Sequence, residues 1–376
     1  MVVRMGWKRF VMVVIAAGML GLAVAWAGVI DVSASSGHWK ATDWFLHWVM
    51  RNSVRTHSLG VTVPDLGDPA MIRRGAGHYA TGCAPCHGAP GEERNPVVLR
   101  QTPPPPTLDD PDKWRDRELF WVVKHGVKFT AMPSWVAGAR DDEVWDVVAF
   151  LRALPDLAPD DYRRLAHGEE RPAGGAGGAA AALDRLSRPA GGSTLADCAR
   201  CHGRDGAGRD GSGYGDDAFP SLAGQSEIYL RDSLAAYAEG RRHSGMMQPA
   251  AARADPAEWA ALAAHYAAQP PAAPPTPVAD TSLLDAGAAI ARAGLPTQGV
   301  PACLSCHDAA GRARNPAFPR LDGQHPDYLA NQLRLWRDDA RGGGPYAHLM
   351  QLVARRLTPG QVEAVAAYFA ARGRHD

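Results

Sequence analysis

The chain has 376 residues, and its 40 lysines and arginines balance 40 aspartates and glutamates, so the formal charge is zero and no basic field marks nucleic acid as a partner. An apolar content of 46% excludes a disordered or fibrous chain, and the length suffices for two or three compact domains. The 40 glycines and 30 prolines gather between motif-bearing segments and predict small domains joined by linkers.

Residues 1–34 carry an uncharged apolar run from Phe10 to Ile30 behind Arg4, Lys8 and Arg9. The run is long enough to span a bilayer. Its basic flank belongs on the cytoplasmic side, which puts everything after Asp31 outside. The expectation is a single-pass protein of the bacterial inner membrane, anchored through residues 10–30, with its C-terminal bulk in the periplasm. A cleaved signal peptide is the alternative, because Ala25-Trp26-Ala27 fits the small-x-small rule, but the run continues past that site. Residues 35–67 follow as a juxtamembrane amphipathic segment with Trp44, Phe45, Trp48 and Val49 on one helical face and Arg51 and Arg55 nearby. Such a face suits a membrane surface, a partner subunit or ordinary core packing.

Three motif-bearing segments come next, at 68–168, 193–268 and 281–376. All six cysteines fall in "CAPCH" (Cys83, Cys86, His87), "CARCH" (Cys198, Cys201, His202) and "CLSCH" (Cys303, Cys306, His307). Two thiols two residues apart can form thioethers to the two vinyl groups of one haem, and the adjacent histidine then reaches the iron. Zinc wants paired half-sites, and three pairs leave one unmatched. A redox dithiol needs one CxxC and has no use for the histidine. Each motif therefore predicts one covalently bound haem c, three in all.

A histidine-ligated iron has a sixth position, which methionine fills in many electron-transfer proteins. Met132, Met247 and Met350 follow their histidines at 45, 45 and 43 residues. Met246 rivals Met247, and His243 and His348 lie close enough to compete. Between histidine and methionine a Pro-x-Leu recurs at Pro106, Pro220 and Pro319. A ligating histidine normally donates its other N–H to a carbonyl or carboxylate, and a loop held by these prolines can supply it.

Helical patterns close each segment. Val144, Trp145, Val148 and Leu151 share a face, Asp255 and Pro256 open the second closing helix, and Thr358 and Pro359 open the third. Helical stretches also precede the first and third motifs, where Gly75 and Gly287 would let two helices cross closely. No segment alternates like a strand, so the fold class is all-α. Domains of this size have a marginal core, which a buried porphyrin would complete.

Early CxxCH, Pro-x-Leu, distal methionine and closing helix together resemble the class I cytochrome c fold, in tandem three times behind the N-terminal helix. "FPSLAGQSEIYLRDSL", "FPRLDGQHPDYLANQL" and "QGVPACLSCH" further resemble the dihaem cytochrome c4 family across residues 183–376. That resemblance implies two domains packed about a pseudo-twofold axis, with His202 paired to Met247 and His307 to Met350. Ser233 stands where the third domain has Gln332, so the two haem surroundings should differ. The Gly/Ala-rich linker Arg171–Gly192 (within 169–192) should be flexible and the Pro-rich linker Gln269–Asp280 stiffer. If the third domain docks on the second, the first domain is then the mobile part.

The expected function is single-electron transfer from a respiratory donor, either a quinol-oxidising complex or a dehydrogenase, to a terminal oxidase or reductase. The partners are redox proteins and no small-molecule substrate is expected. Two alternatives are the cytochrome subunit of a periplasmic alcohol or sugar-acid dehydrogenase, and a haem enzyme with one open haem. A third is an assembly or anchoring factor with structural haems.

Overall fold

The computed structural model describes residues 6–92, 94–168, 195–208, 217–271, 281–307 and 315–372, which are helical, with only isolated β-bridges among them. The expected linker Arg171–Gly192 lies outside the described residues, as do residues 272–280 of the second linker.

Helix α1 (Trp7–Trp26) has no buried residue and is apolar enough to cross a membrane. At 1.5 Å per residue it is about 30 Å long. It ends before the apolar run does, since Gly28 turns the chain with φ +67°. Helix α2 (Lys40–His57) has two unlike halves. Trp44, Phe45, Trp48 and Val49 are exposed, which removes core packing as their explanation. Its far end is fastened to the first domain: Val54 and the following Ser58 are buried, Arg51 lies over the Trp114 ring, and His57 meets Trp121.

The first domain comprises α3 (Pro69–Gly82), α4 (Ala84–His87), α5 (Asp116–His125), α6 (Asp141–Ala153) and α7 (Pro159–His167). Asp68 caps α3 by accepting from Ala70 N (2.9 Å), with Pro69 in the first turn. Helices α3 and α6 cross at Gly75, where a Cβ would lie 2.1 Å from the Asp146 carbonyl oxygen. Tyr79, Val147, Phe150 and Tyr162 form the core beneath that crossing. The sequence pattern gives α6 one apolar face, yet the whole stretch Glu143–Leu151 is buried. The added burial comes from neighbours: Arg74 of α3 pairs with Asp146 (2.8 Å), and the second domain meets the first turn.

The second domain has α8 (Leu195–His202), α9 (Glu227–Ala238), α10 (Met247–Ala251) and α11 (Pro256–Ala267). Asp255 and Glu258 form a capping box at α11, as Asp255-Pro256 suggested. The third has α12 (Thr281–Ala293), α13 (Leu304–His307), α14 (Pro326–Arg337), α15 (Ala347–Ala354) and α16 (Pro359–Ala371). Its first and last helices cross at Gly287, where a Cβ would lie 2.0 Å from the Ala364 carbonyl oxygen, repeating the Gly75 arrangement.

The second and third domains meet through contacts that exchange roles under a twofold. Gln225 pairs with the Arg320 backbone, and Gln324 pairs with the Ser221 backbone. His243 N donates to Arg341 O and Gly343 N donates to Arg241 O, both at 2.8 Å. The first domain also docks, contrary to the mobility inferred from its linker. Arg140 donates to His243 O (2.7 Å), Asn331 donates to Asp142 (3.0 Å), and Ala70, Ala218, Phe219 and Cys201 form a shared apolar cluster. These side chains come from three separate parts of the chain, so no local pattern announced the contact.

Candidate functional site

Each CxxCH lies at the end of, or within, a short helix, so both thiols and the histidine leave the same turn. The turn is closed by His87 N on Cys83 O and His307 N on Cys303 O, both at 2.9 Å. None of the six cysteines is paired in a disulfide. Burial pushes the Cys83 thiol up to about 12 and the Cys198 and Cys303 thiols up to about 11. Thioether formation adds such an S–H across a vinyl group of the porphyrin.

The three histidines share one device. His87 Nδ1 is 2.8 Å from Pro106 O, His202 Nδ1 is 3.1 Å from Pro220 O, and His307 Nδ1 is 2.9 Å from Pro319 O. A carbonyl can only accept, so Nδ1 carries the hydrogen and Nε2 keeps its lone pair free. Burial holds all three histidines below the ordinary imidazole range, which keeps that lone pair unprotonated at neutral pH. The residue after the histidine is also pinned in the first two domains. Tyr79 donates to Gly88 O (2.6 Å) and Tyr266 to Gly203 O (3.2 Å), with Gly88 and Gly203 at positive φ.

One continuous cavity serves the second and third domains. It holds about 1420 Å³ of empty space, its open mouth included, and its walls bring together Cys198, His202 and Met247 with Cys303, His307 and Met350. Of the two adjacent methionines, Met247 lines it, at the start of α10, while Met350 sits inside α15. His243 is spent on Ala340 O (3.2 Å) at the domain boundary, and His348 is exposed beside Pro345 O. In the first domain Cys83, Leu108 and Trp135 pack on the core, and Met132 lies half-buried in the loop before Trp135.

Sequence reasoning missed two buried cations. Arg242 and Arg341, each 5% exposed, line this cavity, and neither has an acidic partner among the described residues. Arg242 donates to Ser233 Oγ (3.1 Å) and, across the boundary, to Tyr328 OH (3.1 Å); Arg341 donates to Gln332 Oε1 (2.5 Å) and lies 3.8 Å over the Trp336 ring. Ser233 and Gln332, noted as unlike counterparts, thus do the same work. Burial and the neighbouring Arg242 push Arg341 down to about 10. Two uncompensated guanidiniums in an apolar cavity call for anions, and the propionates of a haem are carboxylates. Their only sequence trace is an arginine a short way before Met247 and before Met350.

The comparisons with known proteins follow this geometry. Residues 70–151 match the profile described as cytochrome C oxidase, cbb3-type, subunit III, and residues 190–266 match the profile of cytochrome c. A thiosulfate dehydrogenase electron acceptor of Thiomonas intermedia is 36% identical over 47% of this chain and 79% of its own length. A cytochrome c4 of Pseudomonas aeruginosa is 33% identical over 48% of this chain and 85% of its own. The chain belongs to the c-type cytochromes of the cytochrome c4 family. Among solved structures, the reduced cytochrome c4 of Pseudomonas stutzeri covers 47% of this cytochrome and 94% of its own chain at 30% identity, with a TM-score of 0.42. Cytochrome c domains imply covalently bound haem c, and the relatives of this cytochrome are electron carriers and acceptors.

Proposed function

We propose that this cytochrome binds three haem c groups, one per CxxCH, with His87 and Met132, His202 and Met247, and His307 and Met350 as the axial pairs. The observation that carries this reading is the threefold recurrence of the His–Pro carbonyl bond together with the cavity that gathers two full sets of cysteine, histidine and methionine. Bound haem c supplies reversible one-electron exchange at iron. The chain does the rest. The proline carbonyls orient the imidazoles, the apolar walls exclude water, and Arg242 and Arg341 offset the carboxylate charge.

In this reading α1 anchors the protein in the inner membrane, α2 lays its aromatic half on the lipid surface, and the domains stand in the periplasm. The rigid attachment of α2 to the first domain supports it, because that attachment fixes the domain near the bilayer. Electrons come from a quinol-oxidising complex or a dehydrogenase and go to a terminal oxidase or reductase; the oxidase-subunit profile on the first domain favours an oxidase as acceptor. A second reading has its own support. Two relatives are electron acceptors of thiosulfate dehydrogenase, which favours a donor enzyme that oxidises an inorganic sulfur compound.

The test is stoichiometric. Haem content should be three per chain, and full reduction should take three electrons. Replacing Cys303 and Cys306 by alanine should leave two haems. Binding of cyanide or carbon monoxide by a third of the haem at neutral pH would instead reveal an open iron and an enzyme.

A further inference from the structure

We propose that Glu143, a residue of the first domain, is a positioning residue for the distal methionine of the second, acting through Ser244. The proposal rests on Met247 being an iron ligand.

Glu143 stands in the first turn of α6 and is 4% exposed. Its carboxylate accepts from Ser244 Oγ (2.5 Å), Gly245 N (2.5 Å), Trp135 Nε1 (3.4 Å) and Arg140 Nη2 (3.0 Å). Ser244, itself 3% exposed, accepts from Met247 N (3.0 Å) and Met246 N (3.3 Å). A hydroxyl has two lone pairs and one hydrogen. The two amides occupy the lone pairs, so the hydrogen is committed to Glu143. The result is a directed chain from the Met247 backbone through Ser244 to a carboxylate on another domain.

The surroundings leave this chain little slack. Trp135, which follows Met132 by three residues, packs so closely on Gly245 that a Cβ there would lie 2.2 Å from the indole. Arg140 grips His243 O from the same turn, and Gln248 accepts from Ser244 N (3.0 Å). The loop that presents Met247 to the cavity is therefore held at five consecutive residues, His243 to Met247, the first three of them directly by the first domain. Interdomain adhesion alone would not require the Ser244 hydroxyl to bridge to the methionine amides. Docking of the first domain sets how firmly the second holds its sulfur ligand.

The experiment uses the full-length, haem-loaded ferric protein and titrates imidazole, which competes with methionine for iron, while following the far-red absorption of methionine-ligated ferric haem. Met247→Ala comes first and should remove about one third of that absorption. If it removes none, the ligand assignment is wrong and the proposal falls with it, for a reason separate from Glu143. With that third identified, Ser244→Ala and Glu143→Gln should each let imidazole bind that haem roughly tenfold more tightly. The other two haems should be unaffected, and the double variant should add nothing further. If Glu143→Gln does not fold, Glu143→Asp, which withdraws the carboxylate by one methylene, takes its place. No change in imidazole affinity, a change in Ser244→Ala alone, or an equal change at all three haems would overturn the proposal.

Discussion

Gln225 and Arg320 hold each other across the boundary between the second and third domains: the Gln225 side chain donates to Arg320 O (2.8 Å) and accepts from Arg320 N (2.9 Å). Gln324 does the same for Ser221, accepting from its N (2.8 Å) and donating to its O (2.9 Å). Ser221 and Arg320 each follow the proline whose carbonyl receives the histidine of a CxxCH motif. The clamp that joins the domains is thus one residue from the clamp that orients each imidazole.

Either glutamine replaced by alanine leaves a backbone N–H and C=O unpaired at the domain boundary, buried at Ser221 and part-buried at Arg320. Each variant should lose about 2 kcal/mol of stability, read from chemical denaturation followed by circular dichroism. The histidine orientation should loosen in the domain whose backbone is released.

Gly75→Ala and Gly287→Ala should each destabilise their own domain by about 2 kcal/mol or more, because the new Cβ meets a helix carbonyl at 2.1 and 2.0 Å and the two helices must part. A lowered Tm in calorimetry, confined to the transition of the domain that carries the change, is the expected result.

His78 packs on Trp135 with ring centroids 4.6 Å apart, and burial and Arg200 hold it down to about 4. In the unfolded chain it titrates near 6.5. Below pH 6.5 the unfolded state therefore takes a proton that the folded state refuses. Stability should fall from pH 6.5 to about 4 and then level off, by about 2 kcal/mol given the partial exposure of the ring. His78→Phe should remove that part of the pH dependence in denaturation curves measured across the window.

Arg242 and Arg341 place positive charge beside the cavity, which favours the reduced state of a bound redox group. Arg341→Gln should lower at least one midpoint potential by on the order of 60 mV, the one-electron equivalent of a tenfold change. Potentiometric titration followed at the haem absorption would show it, and an unchanged set of potentials would mean the charge is neutralised locally.

The haem motifs, the Pro-x-Leu marks, the methionines, the capping residues Asp255 and Thr358 and the crossing glycines Gly75 and Gly287 were legible in the sequence. Each is either a chemical requirement written within a few residues or a repeat that the chain copies at nearly constant distance. A proline carbonyl can be anticipated because it recurs in register, and a helix start can be anticipated because its cap is local.

What only the tertiary structure decided lies between elements. The Gly/Ala-rich linker sequence suggested a mobile first domain, yet Arg140, Asp142 and Glu143 fix it to His243, Asn331 and Ser244. Nothing in the sequence singled out Arg242 and Arg341, which the fold buries in the shared cavity without an acidic partner among the described residues. Sequence alone singled out the candidate residues for the cofactor, because that chemistry is set by residue type and spacing along the chain. Which domains share a cavity, and which carboxylate meets the loop before Met247, depended on contacts between residues about a hundred positions apart, and such contacts leave no periodic signature.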